Sequence, residues 1–308
     1  MAMSKGLSPN AVKTALDNVF YAAYDPKQSP SYGSVTDGGI FIQDTAKNSA
    51  VIEEAFKGVG LWTARTEQQD VMQDSAFLGN QKTHSVITFS KSVDIPKTYM
   101  DDDMHSTYEK MVTDMGLKAR ISQEDNGFGV LRGGFATYTT GDGSFLFSDT
   151  HTTLSGATVD NKSTAALSEA ALNAAIVALL EQKDQSGEVM GNAPAVLVVP
   201  PALYKTACEI VKSELRAGTG NNDMNVYSSM YDIRVVQNNR LGAAAGGSDT
   251  AWFLLAKNHG LTRWVRKGIE TLLVPYQFQR NNAYIYKGEF REVAGATDYV
   301  GLWGSAGV

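Results

Sequence analysis

The chain has 308 residues and a formal charge of −6, with 27 Lys and Arg against 33 Asp and Glu. Hydrophobic residues make up 43% of it, enough for a large core, and no apolar run approaches the roughly 18 residues that cross a bilayer. A protein that binds phosphates tightly carries a basic excess or cluster, whereas here Lys and Arg are spread singly. The composition therefore excludes a membrane span and disfavours a tight nucleic-acid site.

The first 50 residues are predicted to form an extended arm. Ser8 and Pro9 are suited to the cap and the first turn of a helix that ends near Asp25. Its apolar residues recur at helical spacing: Val12, Leu16, Val19 and Phe20. Residues 26–40 lack periodicity, and a second short helix is predicted over residues 49–57.

Residues 61–98 are predicted to form a long β-hairpin. Residues 63–72 and 83–95 are rich in β-type residues, and the turn-type cluster Gly79-Asn80-Gln81-Lys82 lies between them. An isolated two-stranded ribbon is barely stable in water. The hairpin is therefore expected to rest on something outside its own domain.

A long helix is predicted to follow. The acidic residues Asp101–Asp103 are suited to its start, and the pattern continues to Arg132, giving a rod of about 45 Å. Its apolar stripe consists of Met104, Tyr108, Met111, Val112, Met115 and Ala119. A tight hairpin over residues 138–145 comes next, with Gly-Asp-Gly at its turn.

The second half predicts a compact α/β unit and a β-rich tail. A helix capped by Ser168 and ended by Gly187 precedes a buried strand over residues 195–199 and a helix that starts at Pro201. Residues 217–226 are predicted to form a flexible loop. Further strands are predicted over residues 233–236, 252–256, 263–265, 269–275 and 283–291.

The sequence contains no convincing catalytic or metal site. None of the histidines His84, His105, His151 and His259 has a metal-ligand partner at short spacing, and the lone Cys208 is interpreted as a helix filler. The string from Gly127 to Gly133 resembles a dinucleotide fingerprint but follows a helix. Ser148-Asp149-Thr150-His151 is interpreted as a hydrogen-bonded turn. A long arm and a projecting hairpin without a catalytic site predict a protein that assembles, needs no cofactor and is not an enzyme.

Five segments, in this order, resemble the major capsid proteins of tailed bacteriophages with the Hong Kong 97-type fold, and most closely the Mu-like major head subunit family. They are Gly60-Leu61-Trp62 leading to Glu67, residues 89–97 followed by Asp101-Asp102, residues 140–151, Leu197-Val198-Val199-Pro200-Pro201 with Ala207, and Asp298-Tyr299-Val300-Gly301. Each segment alone is a weak signal. Their common order across residues 10–305 makes the resemblance specific.

The resemblance implies an α+β fold with five parts. These are an N-terminal arm (1–60), an extended loop (61–98), a peripheral domain with a spine helix (99–160), an α/β axial domain (161–261) and a return to the peripheral domain (262–308). The candidate inter-subunit residues are Gly79, Asn80, Gln81 and Lys82 at the hairpin tip and Asn221 and Asn222 in the axial loop. In some relatives a lysine of the extended loop crosslinks to a neighbour's asparagine. Lys82 has the matching position, but the sequence identifies no partner for it, so no crosslink is expected here.

The resemblance also implies partners and a location. The chain would form hexamers and pentamers of an icosahedral shell with a portal, and possibly with scaffolding or decoration proteins. The shell would enclose double-stranded DNA without sequence-specific binding, and it would be assembled in the cytoplasm of a host bacterium. Two alternatives stay open: an encapsulin-like nanocompartment shell, and a soluble hydrolase with His151 or His259 as base.

Overall fold

A computed structural model describes residues 9–25, 39–67, 69–71, 73, 77–98, 107–213, 224–227, 231–275 and 282–308. The helices are α1 (Pro9–Tyr24), α2 (Thr107–Gly133), α3 (Glu169–Leu180) and α4 (Tyr204–Val211). The strands in the first half are β1 (Ile42–Thr45), β2 (Ala50–Lys57), β3 (Phe77–Ser85), β4 (Ile87–Pro96), β5 (His151–Thr152) and β6 (Thr158–Val159). The remaining strands are β7 (Lys162–Ser163), β8 (Pro194–Val199), β9 (Arg234–Gln237), β10 (Trp252–Ala256), β11 (Thr262–Val274), β12 (Ala283–Gly295) and β13 (Leu302–Ser305).

One sheet of four strands, in the order β1-β11-β12-β4, supports the helices α1 and α2. The three elements share a core that is built from Phe20 of α1, Val112 of α2 and Tyr286 of β12, each at 0% exposure. Strand β1 pairs in parallel with β11. The predicted helix of the first 50 residues is confirmed, but α1 and β1 are integrated into this body, because the apolar face of α1 is long enough to fill the space between α2 and the sheet.

A second sheet of five strands has the order β7-β13-β10-β8-β9 and packs against α3 and α4. The strands predicted over residues 195–199, 233–236 and 252–256 are confirmed as β8, β9 and β10 with small shifts in their ends. The tail was expected to return wholly to the other part of the fold. Instead β13 lies within this sheet, between β7 and β10, where Trp303 packs against Trp252 at a ring-centroid distance of 5.0 Å.

The predicted hairpin over residues 61–98 is wrong in its pairing. Strand β3 pairs with β2, and β4 pairs with β12, so the two-stranded ribbon consists of residues 50–57 and 77–85. Gly79 and Asn80 lie inside β3, where the register skips from Glu54↔Gln81 to Phe56↔Leu78. These turn-type residues therefore mark a β-bulge, which an isolated Gly in a strand also signals. The strand predicted over residues 63–72 is not found among the described residues of that range.

One predicted helix and the predicted end of another are also wrong. Most of the helix predicted over residues 49–57 is strand β2, because a short isolated helix is marginal in water whereas the ladder to β3 pairs the backbone of this segment. Helix α3 ends at Leu180, before Gly187. Gly187, at φ +92°, lies in a tight turn that the side chain of Asp184 stabilises by accepting from the backbone N–H groups of Ser186 and Glu188.

The long helix is confirmed as α2, which has 27 residues and contains the whole string from Gly127 to Gly133. The proposed acidic cap, Asp101–Asp103, and Met104 lie outside the described residues. The N-cap of α3 is confirmed, since the Ser168 side chain accepts from Ala171 N–H. The tail strands are confirmed, with the first two predicted segments joined into β11.

Candidate assembly surface

The root of the ribbon is fastened to the body by a buried polar cluster. His84 of β3 is 4% exposed, and its ring lies against Trp264 at a centroid distance of 4.6 Å. The Thr297 hydroxyl donates to Glu53 Oε2 at 2.7 Å, so it accepts from His84 Nε2, which is 2.9 Å away. Burial, with a smaller contribution from the nearby Lys82 charge, lowers the pKa of His84 to about 4. His84 is therefore uncharged at neutral pH.

Lys82 is a second fastener at the same root. Its Nζ lies 3.5 Å from the centroid of the Tyr138 ring and donates to the carbonyl oxygen of Thr139. Burial lowers the pKa of Lys82 to about 8, although the Asp142 charge opposes this shift. The Tyr138 hydroxyl in turn donates to the carbonyl of Ala296 and accepts from its N–H. Lys82 thus joins β3 to the segment that follows α2.

The inner face of the ribbon lies on its own chain. A Cβ on Gly79 would be 2.1 Å from Leu154 Cδ1, and one on Gly141 would be 3.3 Å from the carbonyl oxygen of Asn80. Gly58, at the end of the ribbon, lies next to Ser186. This half of the ribbon therefore rests on other segments of the same chain.

The outer face and the tip of the ribbon expose large apolar side chains. Trp62 is 97% exposed, and Leu61 is 74% exposed. The remaining exposed apolar side chains here are Ile52, Phe56, Val59 and Val71. Several large apolar side chains exposed on one segment point to a binding surface, so the tip is the best candidate for a contact with another molecule.

The candidate site residues do not lie together at a tip. Gly79, Asn80 and Lys82 face the body as described, and the Gln81 side chain donates to Glu54 Oε1 across the ribbon at 3.1 Å. Asn221 and Asn222 lie outside the described residues. The exposed residues that the prediction passed over are Leu61 and Trp62, which were noted only as part of a motif. Their signal was two large apolar side chains in a glycine-flanked stretch without periodicity.

A groove in the body is the other surface that the sequence did not reveal. It lies between α2 and the four-stranded sheet and has a volume of about 320 Å³. Its apolar lining includes Phe20, Phe89, Met115, Ile269 and Phe290, and its polar lining includes Lys91, Asp114, Lys118 and Ser122. These residues come from distant parts of the chain, which explains why no local pattern indicates the groove.

Two of the motif segments meet in a buried junction. His151 Nδ1 and Asp142 Oδ2 are 2.7 Å apart, and the His151 ring stacks on Tyr299 at 4.1 Å. Hydrogen bonds from His151, Thr140 and the backbone outweigh burial and lower the pKa of Asp142 to about 2. The side chain of His151 is fully buried, so this pair holds the turn at residues 138–145 against the C-terminal segment and offers no access to a substrate.

The remaining chemistry of the described residues is structural. Among them, no three His, Cys, Asp or Glu side chains are grouped so that they could hold a metal ion. His259 is buried, and burial lowers its pKa to about 4. The expected local turn at Ser148 is confirmed, with the Ser148 hydroxyl accepting from Thr150 N–H at 3.2 Å. His105 lies outside the described residues. In the part of the chain that the structure describes, no helix has the length and apolarity to cross a membrane.

Residues 79–304 match the family model described as "Phage capsid protein". The chain belongs to the phage capsid protein family. Family membership gives this capsid protein a structural role as a component of a virion. A search of curated protein sequences gives no significant match.

Solved structures show that the fold of the capsid protein is the predicted Hong Kong 97-type fold. A virus-like particle from Pyrococcus furiosus matches with a TM-score of 0.55 and 12% identity, over 95% of this chain and 98% of that one. The mature capsid of bacteriophage PhiM1 matches with a TM-score of 0.54 and 14% identity, over 86% and 84%. The capsid of a native GTA particle matches with a TM-score of 0.52 and 12% identity, over 91% of this chain and 89% of that one. The assignment to the Mu-like subfamily stays a prediction.

Proposed function

We propose that the capsid protein assembles with copies of itself into hexamers and pentamers of an icosahedral shell that encloses phage double-stranded DNA. The observation that supports this most directly is the ribbon tip, where Trp62 is 97% exposed in a chain of this family. Burying such a side chain between subunits removes a large apolar area from water. Repeated contacts of one kind between identical copies close into symmetric objects.

The division of the chain follows from the pairing of its strands. We propose that the extended loop consists of residues 50–85, that α2 is the spine helix of the peripheral domain, and that the five-stranded sheet with α3 and α4 is the axial domain. The loop around Asn221 and Asn222 is proposed to line the centres of the hexamers and pentamers. Lys82 is proposed to anchor the loop, because its contact with Tyr138 engages the amine that a crosslink would use.

The proposed partners and location follow from the family. A portal protein would close one vertex, and separate scaffolding or decoration proteins would act during or after assembly. The shell would form in the cytoplasm of the host bacterium. The scattered Lys and Arg and the net charge of −6 support a shell that encloses DNA without reading its sequence.

The test is to replace residues 59–73 by a short Gly-Ser linker. Because the ribbon root and both sheets are unchanged, the variant is expected to keep the unfolding midpoint of the parent chain and to form no shells in negative-stain electron microscopy. Shells of normal size from this variant would refute the role of the tip. A parent chain that sediments as a compact monomer under all assembly conditions would refute the shell itself and favour the soluble hydrolase.

An encapsulin-like nanocompartment is the second candidate, favoured by the likeness in fold to the virus-like particle from Pyrococcus furiosus. The two functions differ in what the shell contains. Particles purified from an infected or induced host and treated with nuclease are expected to retain long double-stranded DNA if the capsid function is correct, and a protein cargo if the nanocompartment function is correct.

A further inference from the structure

We propose that Trp62 and Leu61 of one copy insert into the groove between α2 and the four-stranded sheet of a neighbouring copy. This inference rests on the proposed function, and it assigns a defined acceptor site to the ribbon tip. The indole of Trp62 would fill the apolar part of the groove, and the charged residues that follow Trp62 would lie over its rim.

The groove has the size and lining that an indole needs. Its volume of about 320 Å³ lies at the lower end of pocket volumes in proteins, which suits one large side chain with a smaller neighbour. Phe89 and Phe290, which stack at a centroid distance of 4.8 Å, line it from the sheet. Met115 lines it from α2 and packs closely over Gly288 of the sheet, where a Cβ would be 2.9 Å from Met115 Cε. Aromatic and thioether groups are favourable neighbours for an indole.

The tip cannot reach the groove of its own chain. Strand β4 contributes Phe89, Ser90 and Lys91 to the groove. Strand β3 directly precedes β4 in the chain, with only Val86 between them, so the ribbon extends from the N-terminal end of β4. At about 3.3 Å per residue, the backbone from Lys91 to Phe77 spans roughly 45 Å. The far end of the ribbon, at Gly58, lies beside Ser186, which is not among the residues that line the groove. We therefore assign the groove to the ribbon tip of a second copy.

The charges on the two surfaces are complementary. Lys91 and Lys118 are exposed at the rim of the groove, and Glu67 and Asp70 are exposed in the segment after Trp62. Each set also contains one opposite charge, Asp114 at the rim and Arg65 in the tip. Such complementarity sets the register of an interface and speeds its formation.

The inference is tested by crosslinking within shells. In a Cys208→Ala chain, which has no other cysteine, Thr63→Cys and Ser122→Cys place thiols beside Trp62 and in the groove. Copies that carry only Thr63→Cys are co-assembled with copies that carry only Ser122→Cys and treated with a short bis-maleimide. Covalent heterodimers are expected at more than ten times the level found for Thr63→Cys with Val177→Cys, a control position that is exposed on α3.

A second variant separates docking from proximity. Adding Trp62→Ala is expected to reduce the crosslink at least fivefold, and adding Trp62→Phe is expected to retain most of it. Shells of normal appearance without the Thr63–Ser122 crosslink would overturn this inference and leave the proposed function intact. Failure of the parent chain to form shells would overturn the proposed function itself.

Tryptophan fluorescence provides an independent measurement. Three of the four tryptophans, Trp252, Trp264 and Trp303, are already buried, with Trp62 as the exposed one. Assembly is therefore expected to shift the emission to shorter wavelength in the parent chain and to leave it unchanged in Trp62→Phe. The double change Lys91→Glu and Lys118→Glu is expected to slow this shift at low ionic strength. A blue shift of equal size in Trp62→Phe would contradict the burial of Trp62.

Discussion

His84 illustrates how one buried side chain joins the ribbon to the body of the subunit. The imidazole belongs to the ribbon, whereas Trp264 and Thr297, which contact it, belong to the body. The groups that face it are Thr297 and Glu53 on one side, Lys82 along the same strand, and Trp264 across the ring. A second positive charge here would lie near Lys82 in a poorly hydrated site, which explains the lowered pKa.

The lowered pKa of His84 predicts acid sensitivity. The folded chain resists protonation of His84 until about pH 4, while the unfolded chain binds this proton near pH 6.5. The free energy of unfolding is therefore expected to fall as the pH drops from 6.5 to 4, with no further loss from this group below that range. His84→Gln, which can still donate to Thr297, is expected to lose less stability over this window in urea titrations. His259, with the same direction of shift, accounts for part of the loss that remains.

Sequence reasoning identified the segment of the candidate site but not the exposed residues within it. Lys82 looked like the tip of a hairpin because Gly79 and Asn80 suit a turn. The position of the turn depends on which strand β3 pairs with. That strand is β2, which the sequence pattern suggested to be a helix. Tyr138 and Thr297, which fasten the ribbon, are distant in sequence and have no local signal.

At the scale of elements, the packing of α1 against α2 depends on Gly116. A Cβ at Gly116 would be 2.6 Å from the carbonyl oxygen of Phe20, so the two helices approach more closely than any side chain permits. Phe20 and Leu16 are thereby placed in the core that α2 shares with the sheet. Gly116 therefore marks the contact surface between the two helices.

This contact predicts opposite effects for two Gly→Ala changes in α2. At an exposed helix position this change stabilises by up to about 1 kcal/mol, and Gly129→Ala is expected to do so because its Cβ would meet only Arg132 at 3.8 Å. Gly116→Ala is expected to destabilise by roughly 1–3 kcal/mol, since backbone must shift to accommodate the methyl group. Urea unfolding of the two variants beside the parent chain measures both effects. Equal stabilisation by both would contradict the close approach.

The elements that could be predicted are those whose pattern is local and long. Helix α2 and the buried strands β8 and β10 have periodicity or apolar runs that no tertiary contact reverses. Strand β2 could not be predicted. In a short segment with both helical and β character, the secondary structure depends on whether a neighbouring strand is there to pair with it. The bulge at Gly79 likewise depends on the register with β2.

At the scale of the whole molecule, strand β13 brings distant parts of the chain into one sheet. Strand β13 lies between β7 and β10, so the five-stranded sheet contains residues from its own region and from the last few residues of the chain. Asn161 links these parts by donating to the carbonyl oxygens of Leu146 and Leu302. This strand has only four residues, one of them a glycine, and such a short segment gives too weak a pattern to be predicted.

The place of β13 between β7 and β10 predicts a sharp limit to C-terminal truncation. Removing residues 300–308 is expected to prevent cooperative folding, because Trp303 and the pairing of β13 with β10 are lost from the core. Removing Val308 alone, which is 94% exposed, is the matched control and is expected to change the unfolding midpoint by little. Thermal unfolding by circular dichroism compares the two. A cooperative transition in the longer truncation would show that the sheet closes without β13.

The position of β13 also imposes an order on synthesis. A ribosome delivers the N-terminal portion of a chain first, so β8, β9 and β10 emerge while the strand that completes their sheet is still being translated. A polypeptide cut short before β13 would lack the strand that pairs with β10, and that edge of the sheet would be left open. If copies of the chain assemble as proposed, those without β13 would be poor building blocks, so truncated molecules would be kept out of the shell.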